Sequence, residues 1–309
     1  MRIIKPLLWT IVAANLIFYP VAVFCPPLAA YLFGMVGRMP ECTFAQGADG
    51  IGKHVEENRI MDRFSRVSRV LRTESDLELW DTPRGQWWLP MHTDPGVLPD
   101  LLAQQETHFY GTGQTAVHPG DTVLDCGAHV GVFTREALKL GAVKVIAVEP
   151  VPENLESLRR NLDREIAAGR VVVCAKGVWD RVDSLTLFRP KRSSAGASFL
   201  LHSTKGEREI PRVPVTTIDL LVAELGIDRV DFIKMDIKGA TERALRGARA
   251  VLQRDHPRMA VATEESGDEP ARILGAVEAL VPGYFRGCGT CVLQDFRVQP
   301  QVLFFGPRP

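Results

Sequence analysis

The segment Val123-Leu-Asp125-Cys-Gly127-Ala128-His129-Val-Gly131-Val-Phe-Thr134 governs the reading of this chain. An apolar run from Thr122 to Cys126 meets two spaced glycines, and an amphipathic stretch to Leu140 follows, the pattern of a strand, a sharp turn and a helix. Glycine at 127 and 131 lets the backbone turn sharply and lets a ligand come close where a Cβ would intrude. A dinucleotide site would carry G-x-G-x-x-G and seat phosphates on the following helix N-terminus. Here the spacing is G-x-x-x-G, and Asp125 sets a carboxylate at the strand tip that would repel a pyrophosphate and favour a cationic ligand.

Further apolar runs span Val143 to Val148, Val171 to Cys174, Phe232 to Ile237, Met259 to Thr263, Val292 to Val298 and Val302 to Phe305. Helical stretches ending near Leu140, Leu162, Leu252 and Leu280 lie between them, and the middle of the chain is irregular. Strands alternating with helices argue an α/β fold with a mostly parallel sheet covered on both faces; the short gap before the last run argues an antiparallel edge. Ligands of such sheets bind at the carboxyl ends of the strands.

The second strand ends in Glu149-Pro150, about 20 residues after the first glycine, where doubly wound sites hold ribose hydroxyls. S-adenosylmethionine carries an ammonium, a sulfonium and a ribose, and so suits both acids. The expected cofactor residues are Asp125, Gly127, Ala128, Gly131 and Glu149. His129 reads as a loop filler rather than a base, because nothing in the sequence orients it. On Phe232-Ile-Lys234-Met-Asp236 two charges interrupt an interior strand, expensive unless paired. A shared site at the strand tip and a purely structural Lys234 to Asp236 contact are both open readings.

Together these residues resemble the FkbM-type methyltransferases over about residues 98 to 306. Asp125-Cys-Gly-Ala-His-Val-Gly131 is similar to the family's D-x-G-A-N-x-G loop, Glu149-Pro150 to its E-P pair and Val215-Thr-Thr-Ile-Asp219 to its V-T-T-L-D segment. Phe232-Ile-Lys-Met-Asp236-Ile-Lys-Gly-Ala240 resembles its I-K-x-D-x-E-G-A-E signature. The resemblance implies a Rossmann-like class I methyltransferase fold with a seven-stranded sheet, S-adenosylmethionine as cofactor, and methyl transfer to an oxygen. The implied acceptor is a sugar, a secondary metabolite or a lipid-linked compound. The protein would then mainly align acceptor, methyl and sulfur, with Asp236 as the candidate base and Lys234 orienting or neutralising it. Lys238 replaces the signature's first glutamate, Thr241 its second, with Glu242 one place later, and His129 stands where asparagine is usual. These departures keep a rival in play, a membrane-tethered protein that binds the cofactor without turnover; a nucleotide-binding oxidoreductase is a weaker one.

Basic and acidic residues balance at 37 each, so net charge gives no sign of a nucleic-acid partner. From Leu7 to Val36 there is no charged residue, more than the roughly 20 apolar residues a membrane span needs, although Asn15, Pro20, Pro26 and Pro27 would bend or end a helix. A kinked span, a re-entrant hairpin and a cleaved signal peptide are the alternatives. Arg59 to Arg72 reads as a basic amphipathic helix, with Ile60, Phe64, Val67 and Leu71 on one side. It is either a solvated linker helix or an interfacial helix against anionic lipid. Leu77 to Leu89 reads as a small hairpin. The expected organisation is a membrane-attachment segment over 1–40, a linker over 41–97 and the methyltransferase domain over 98–309, facing the cytoplasm. Six cysteines in this length suggest reduced thiols, with Cys288 and Cys291 in a turn entering a strand.

Overall fold

A computed structural model of the chain describes residues 20, 23–91, 93–190, 193–199, 207–263, 267–294 and 296–308. Its first elements are helices α1 (Pro26–Met35) and α2 (Phe44–Val67), strands β1 (Arg69–Glu74), β2 (Leu77–Thr82) and β3 (Gly85–Pro90), and helix α3 (Val97–Glu106). Then come β4 (Thr122–Cys126), α4 (Val132–Lys139), β5 (Lys144–Val148), α5 (Pro152–Asn161), α6 (Asp163–Ala167) and β6 (Val171–Cys174). The irregular middle forms a small sheet of β7 (Gly177–Val178), β8 (Asp183–Pro190) and β9 (Glu207–Thr216). After it follow α7 (Ile218–Glu224), β10 (Phe232–Met235), α8 (Thr241–Arg246), α9 (Arg249–Asp255), β11 (Arg258–Ala262) and α10 (Glu269–Leu280). Strands β12 (Phe285–Cys288), β13 (Cys291–Gln294), β14 (Arg297–Pro300) and β15 (Val302–Gly306) complete the described elements.

The main sheet has seven strands in the order β12-β15-β11-β10-β4-β5-β6. Strands β11, β10, β4, β5 and β6 run parallel, and β15 lies antiparallel to both its neighbours. Successive side chains of a strand point to opposite faces, and the core divides accordingly. Leu124, Cys126, Ile146, Val148, Ile233, Met235, Met259 and Val261 join one buried cluster, while Val123, Val145, Ala147, Phe232 and Ala260 join the other. Each fully buried Val, Leu, Ile or Met contributes about 1.5–3 kcal/mol relative to exposure.

The antiparallel edge is built differently from the expectation. Val292 to Val298 is not one strand: β13 and β14 pair with each other as a hairpin off the main sheet, and β12 takes the edge. Phe285-Arg-Gly-Cys288 lacks an apolar run because an edge strand needs little of one, whereas Val302-Leu-Phe-Phe-Gly306, flanked on both sides, is buried throughout.

Residues 59 to 72 are not one helix either. The helix starts earlier, behind a capping box of Thr43 and Gln46, and ends at Val67, so Arg69 and Arg72 lie on β1. Ile60 and Phe64 pack against Trp80, Trp87, Leu89, Leu98 and Leu102, which uses the apolar side of α2 inside the protein, while Val67 and Leu71 are exposed. The hairpin is where the sequence put it, pairing β2 with β3 around residues 83 and 84. Asn161 ties it to the loop after β4: its side chain exchanges two hydrogen bonds with the Trp88 backbone and donates to Val130 O at 2.9 Å.

The cysteine expectation is corrected at one pair, since Cys42 and Cys288 form a disulfide that fastens the segment before α2 to the edge strand. Cys126, Cys174 and Cys291 are buried free thiols. Half of the uncharged Leu7 to Val36 run lies outside the described residues. Among the described residues no helix is long and apolar enough to cross a membrane.

Candidate functional site

A cavity of about 420 Å³ opens at the carboxyl ends of β4, β5 and β10, lined there by Gly127, Ala128, His129, Glu149 and Asp236. Its size falls within the range of small-molecule sites. The loop after β4 is held by one carbonyl: Gly127 N and Ala128 N both donate to Val148 O, at 2.9 and 3.0 Å. Gly127 has φ +82°, and a Cβ there would be driven into the Asp236 carbonyl oxygen, so the close approach of the two loops requires glycine. Gly131 also has a positive φ, +90°, but it opens α4 outside the cavity wall, where a Cβ would meet the end of the Leu162 side chain.

Glu149 stands at the tip of β5, as read from the sequence, and is 4% exposed. Its Oε2 accepts from His129 N at 2.9 Å; its Oε1 accepts from Val151 N at 2.9 Å and from Asn154 Nδ2 at 3.2 Å. Burial pushes its carboxyl above the usual range, against those three donors. The carboxylate is thus fixed in place, with acceptor capacity left on each oxygen.

Asp125 is placed differently from the expectation. It is fully buried beneath the loop and is not part of the cavity lining. Its Oδ1 pairs with Lys234 Nζ at 3.2 Å and its Oδ2 accepts from Thr134 Oγ1 at 2.7 Å, so its charge is already compensated by the protein. Nor do Lys234 and Asp236 make the structural pair considered as an alternative. Lys234 also donates to Gly127 O at 2.7 Å, whereas Asp236, one residue beyond β10, accepts from Tyr110 Oη at 3.0 Å. Burial works against the Lys234 ammonium, but Asp125 and Asp236 outweigh it and hold its pKa above the usual value. Burial likewise raises the Asp236 carboxyl, and Lys234, Lys238 and the Tyr110 hydroxyl more than reverse this, leaving it below the usual value. Both groups are charged at neutral pH.

One cavity residue was missed from sequence, and a second has a partner that the sequence did not show. Tyr110 carries no motif and reaches Asp236 only through the fold. His129 has an orienting partner after all, since its Nε2 lies 2.8 Å from Ser194 Oγ on the segment between β8 and β9. Its φ of +51° is the left-handed conformation that asparagine tolerates well, which accounts for the family's usual residue there. Burial, helped by Lys234, lowers its imidazole to about 4, so it is neutral at pH 7.

Of the residues that depart from the signature, Lys238 lines the cavity and Thr241 is buried at the start of α8. Glu242 does not stand in for the missing acid: it pairs with Arg272 at 2.8 Å. The Val215 to Asp219 segment is structural. Thr217 caps α7, and Asp219 accepts from Ala250 N and Val251 N at the start of α9.

The methyltransferase FkbM domain model matches residues 125–286. The 31-O-demethyl-FK506 methyltransferase of Streptomyces tacrolimicus is 28% identical over 194 residues, 54% of this chain and 73% of the relative. A ribosomal protein L11 methyltransferase of Burkholderia orbicola is 34% identical over 172 residues, 50% of this chain, and the match spans 57% of that relative's length. The crystal structure of a methyltransferase FkbM from Methylobacillus flagellatus KT is 18% identical, with TM-score 0.46, covering 84% of this chain and 61% of that one. With the family model covering more than half of its length, the signature loops included, the chain belongs to the FkbM methyltransferase-domain family.

Proposed function

We propose that the cavity binds S-adenosylmethionine and that the protein transfers its methyl group to a hydroxyl oxygen of a small-molecule, glycan or lipid-linked acceptor. The observation that carries this reading is Glu149, a buried carboxylate fixed at the β5 tip on the cavity wall beside the tight Gly127–Ala128 turn. Two hydroxyls can share such a carboxylate, as the ribose of the cofactor requires. The apolar side chains of Leu101, Phe133, Leu187 and Phe199 in the lining suit a flat base. When bound, the cofactor supplies an electrophilic methyl on a good leaving centre. The name of the Streptomyces relative speaks for an oxygen acceptor.

Within this reading the chain's own residues orient and neutralise. Asp236 is ionised and held by Tyr110, so it can accept a hydrogen bond from an acceptor hydroxyl and take its proton as the new bond forms. Lys234 fixes the loop through Gly127 O and balances Asp236. Asp125 anchors Lys234 rather than meeting the ligand.

Attachment to a membrane belongs to the same proposal. It is supported by the uncharged run from Leu7 to Val36 and by exposed Phe24, Tyr31, Met35 and Val36 in and around α1. The methyl donor is made in the cytoplasm, which favours a catalytic part on that side; the Cys42–Cys288 disulfide is the observation that weighs against it.

Calorimetry with S-adenosylmethionine tests the cofactor reading: wild type binds, and Glu149→Ala weakens binding by about 1–3 kcal/mol, as for lost charge-assisted hydrogen bonds. Accumulation of S-adenosylhomocysteine with a membrane extract tests turnover. Binding without accumulation would favour the rival that holds cofactor and does no chemistry.

A further inference from the structure

A second cavity, of about 300 Å³, adjoins the first, since Asp100 and Gln104 of α3 line both. It lies toward the carboxyl end of β11, two strands along the sheet from β4, with Thr263 just past that strand in its wall. Its lining comes from distant parts of the sequence. His54, Glu57 and Asn58 share one face of α2 at helical spacing, and Gln299 and Gln301 come from the junction of β14 and β15. Thr263 apart, every lining residue falls outside the 125–286 span that carries the family likeness.

Three amide atoms in this cavity, Gln104 Oε1, Gln299 Nε2 and Gln301 Oε1, are buried without a hydrogen-bond partner, and Gln104 and Gln299 are each 7% exposed. The other end of Gln104 is committed, with Nε2 donating to Asp100 Oδ2 at 3.1 Å. Buried polar groups left unpaired are costly, and three in one chamber ask for a ligand. A water takes up about 30 Å³, so the space is far larger than one bridging water needs.

The chemistry of the wall narrows the class. Two free acceptors and a free donor suit hydroxyl groups, each of which can donate and accept. Glu57 and Asp100 disfavour an anion, and burial lowers the His54 imidazole, so it adds no positive charge at neutral pH. No Phe, Tyr or Trp lines the cavity among the described residues, and its apolar members are Val292 and Pro300. The geometry points to a subsite for a neutral, polyhydroxylated acceptor of sugar-like size, held by Gln104 and Gln299 beside the cofactor cavity. The word acceptor rests on the methyl-transfer reading; the binding does not.

The test is saturation-transfer NMR on the full chain, with and without S-adenosylhomocysteine. The neutral probes are methyl glucoside, methyl galactoside and methyl mannoside; the contrasting probes are their phosphate esters and cyclohexanol. At least one neutral glycoside binds the wild type, and Gln299→Met, which keeps the volume and removes the amide, weakens it about tenfold. Asn58→Leu on α2 does the same, with S-adenosylmethionine affinity and thermal midpoint kept in both variants. The subsite is overturned if no neutral glycoside binds, if phosphate esters or cyclohexanol bind better, or if both variants bind as wild type. Glycoside binding in a protein that fails to bind S-adenosylmethionine would instead remove the cofactor reading and leave the subsite standing.

Discussion

Lys234 and Asp125 are direct partners in the parallel register of β10 and β4, and their side chains form an ion pair of 3.2 Å that is almost completely buried. Neighbouring strands in register put same-face side chains side by side, so the pair follows from the sheet itself. The same ammonium binds Gly127 O, which makes the shape of the loop after β4 depend on a charge beneath it. Asp125→Asn leaves Lys234 buried beside a neutral partner, and we expect a loss of about 3–5 kcal/mol in urea unfolding. A loss below about 1 kcal/mol would mean that the pair does not hold the loop.

The two glycines of the loop separate the cavity from its scaffold. Gly127→Ala meets both a left-handed backbone and the Asp236 carbonyl, so it should cost about 1–3 kcal/mol in stability and abolish S-adenosylmethionine binding. Gly131→Ala strains the backbone similarly but touches only the end of Leu162, and should keep cofactor affinity when folded. Equal loss of affinity in both would show that the ligand contacts the whole loop.

The strand tips were legible because a parallel sheet obliges its loops to meet at one end: Gly127, Ala128, Glu149 and Asp236 all line one cavity. Spacing along the chain does not say whether a carboxylate at a tip faces ligand or neighbour strand, and Asp125 was misread for that reason. The first half of α2 was hidden by Gly47, Gly50 and Gly52, poor helix formers. At Gly50 the reason is packing: a Cβ would collide with Gly289 O. Tyr110 gave no signal because it reaches Asp236 only across the fold, and Gln104 and Gln299 gave none because only the fold brings them into one cavity.

His129 links stability to pH with a definite sign. Its folded value, about 4, lies below the unfolded 6.5, so in that window the unfolded chain holds a proton that the folded chain refuses. Stability therefore falls as pH drops from about 6.5 to 4, by up to about 3 kcal/mol from this group. His129→Asn removes the group and keeps the left-handed backbone. Urea midpoints of wild type and variant should diverge toward low pH, the variant losing less. Parallel curves would show that His129 is solvated.

If Asp236 handles the acceptor proton, Asp236→Asn should lower turnover by about 10²–10⁴-fold while cofactor affinity stays near wild type. Tyr110→Phe removes the hydrogen bond to that carboxylate, and about tenfold is expected. S-adenosylhomocysteine formation with extract measures both. A fully active Asp236→Asn would leave alignment alone as the source of catalysis and reassign the carboxylate to holding Tyr110.

The side of the membrane is the last prediction, and the Cys42–Cys288 pair makes it decidable. A cytoplasm-facing catalytic domain has access to the methyl donor and keeps the Arg-rich end of α2 near an anionic leaflet. In that compartment Cys42 and Cys288 are kept reduced, although the fold brings their Cα atoms to 5.8 Å, a separation suited to a disulfide. Alkylating whole cells with a permeant thiol reagent before lysis should then label both cysteines, and a reporter active only outside the cytoplasm, fused after Pro309, should be silent. Purified under oxidising conditions, the protein should gain a disulfide that closes a long loop, worth about 2–4 kcal/mol, and Cys42→Ser should abolish that gain. Protected cysteines in cells together with an active reporter would reverse the orientation. The methyl donor would then have to reach the cavity from the other side.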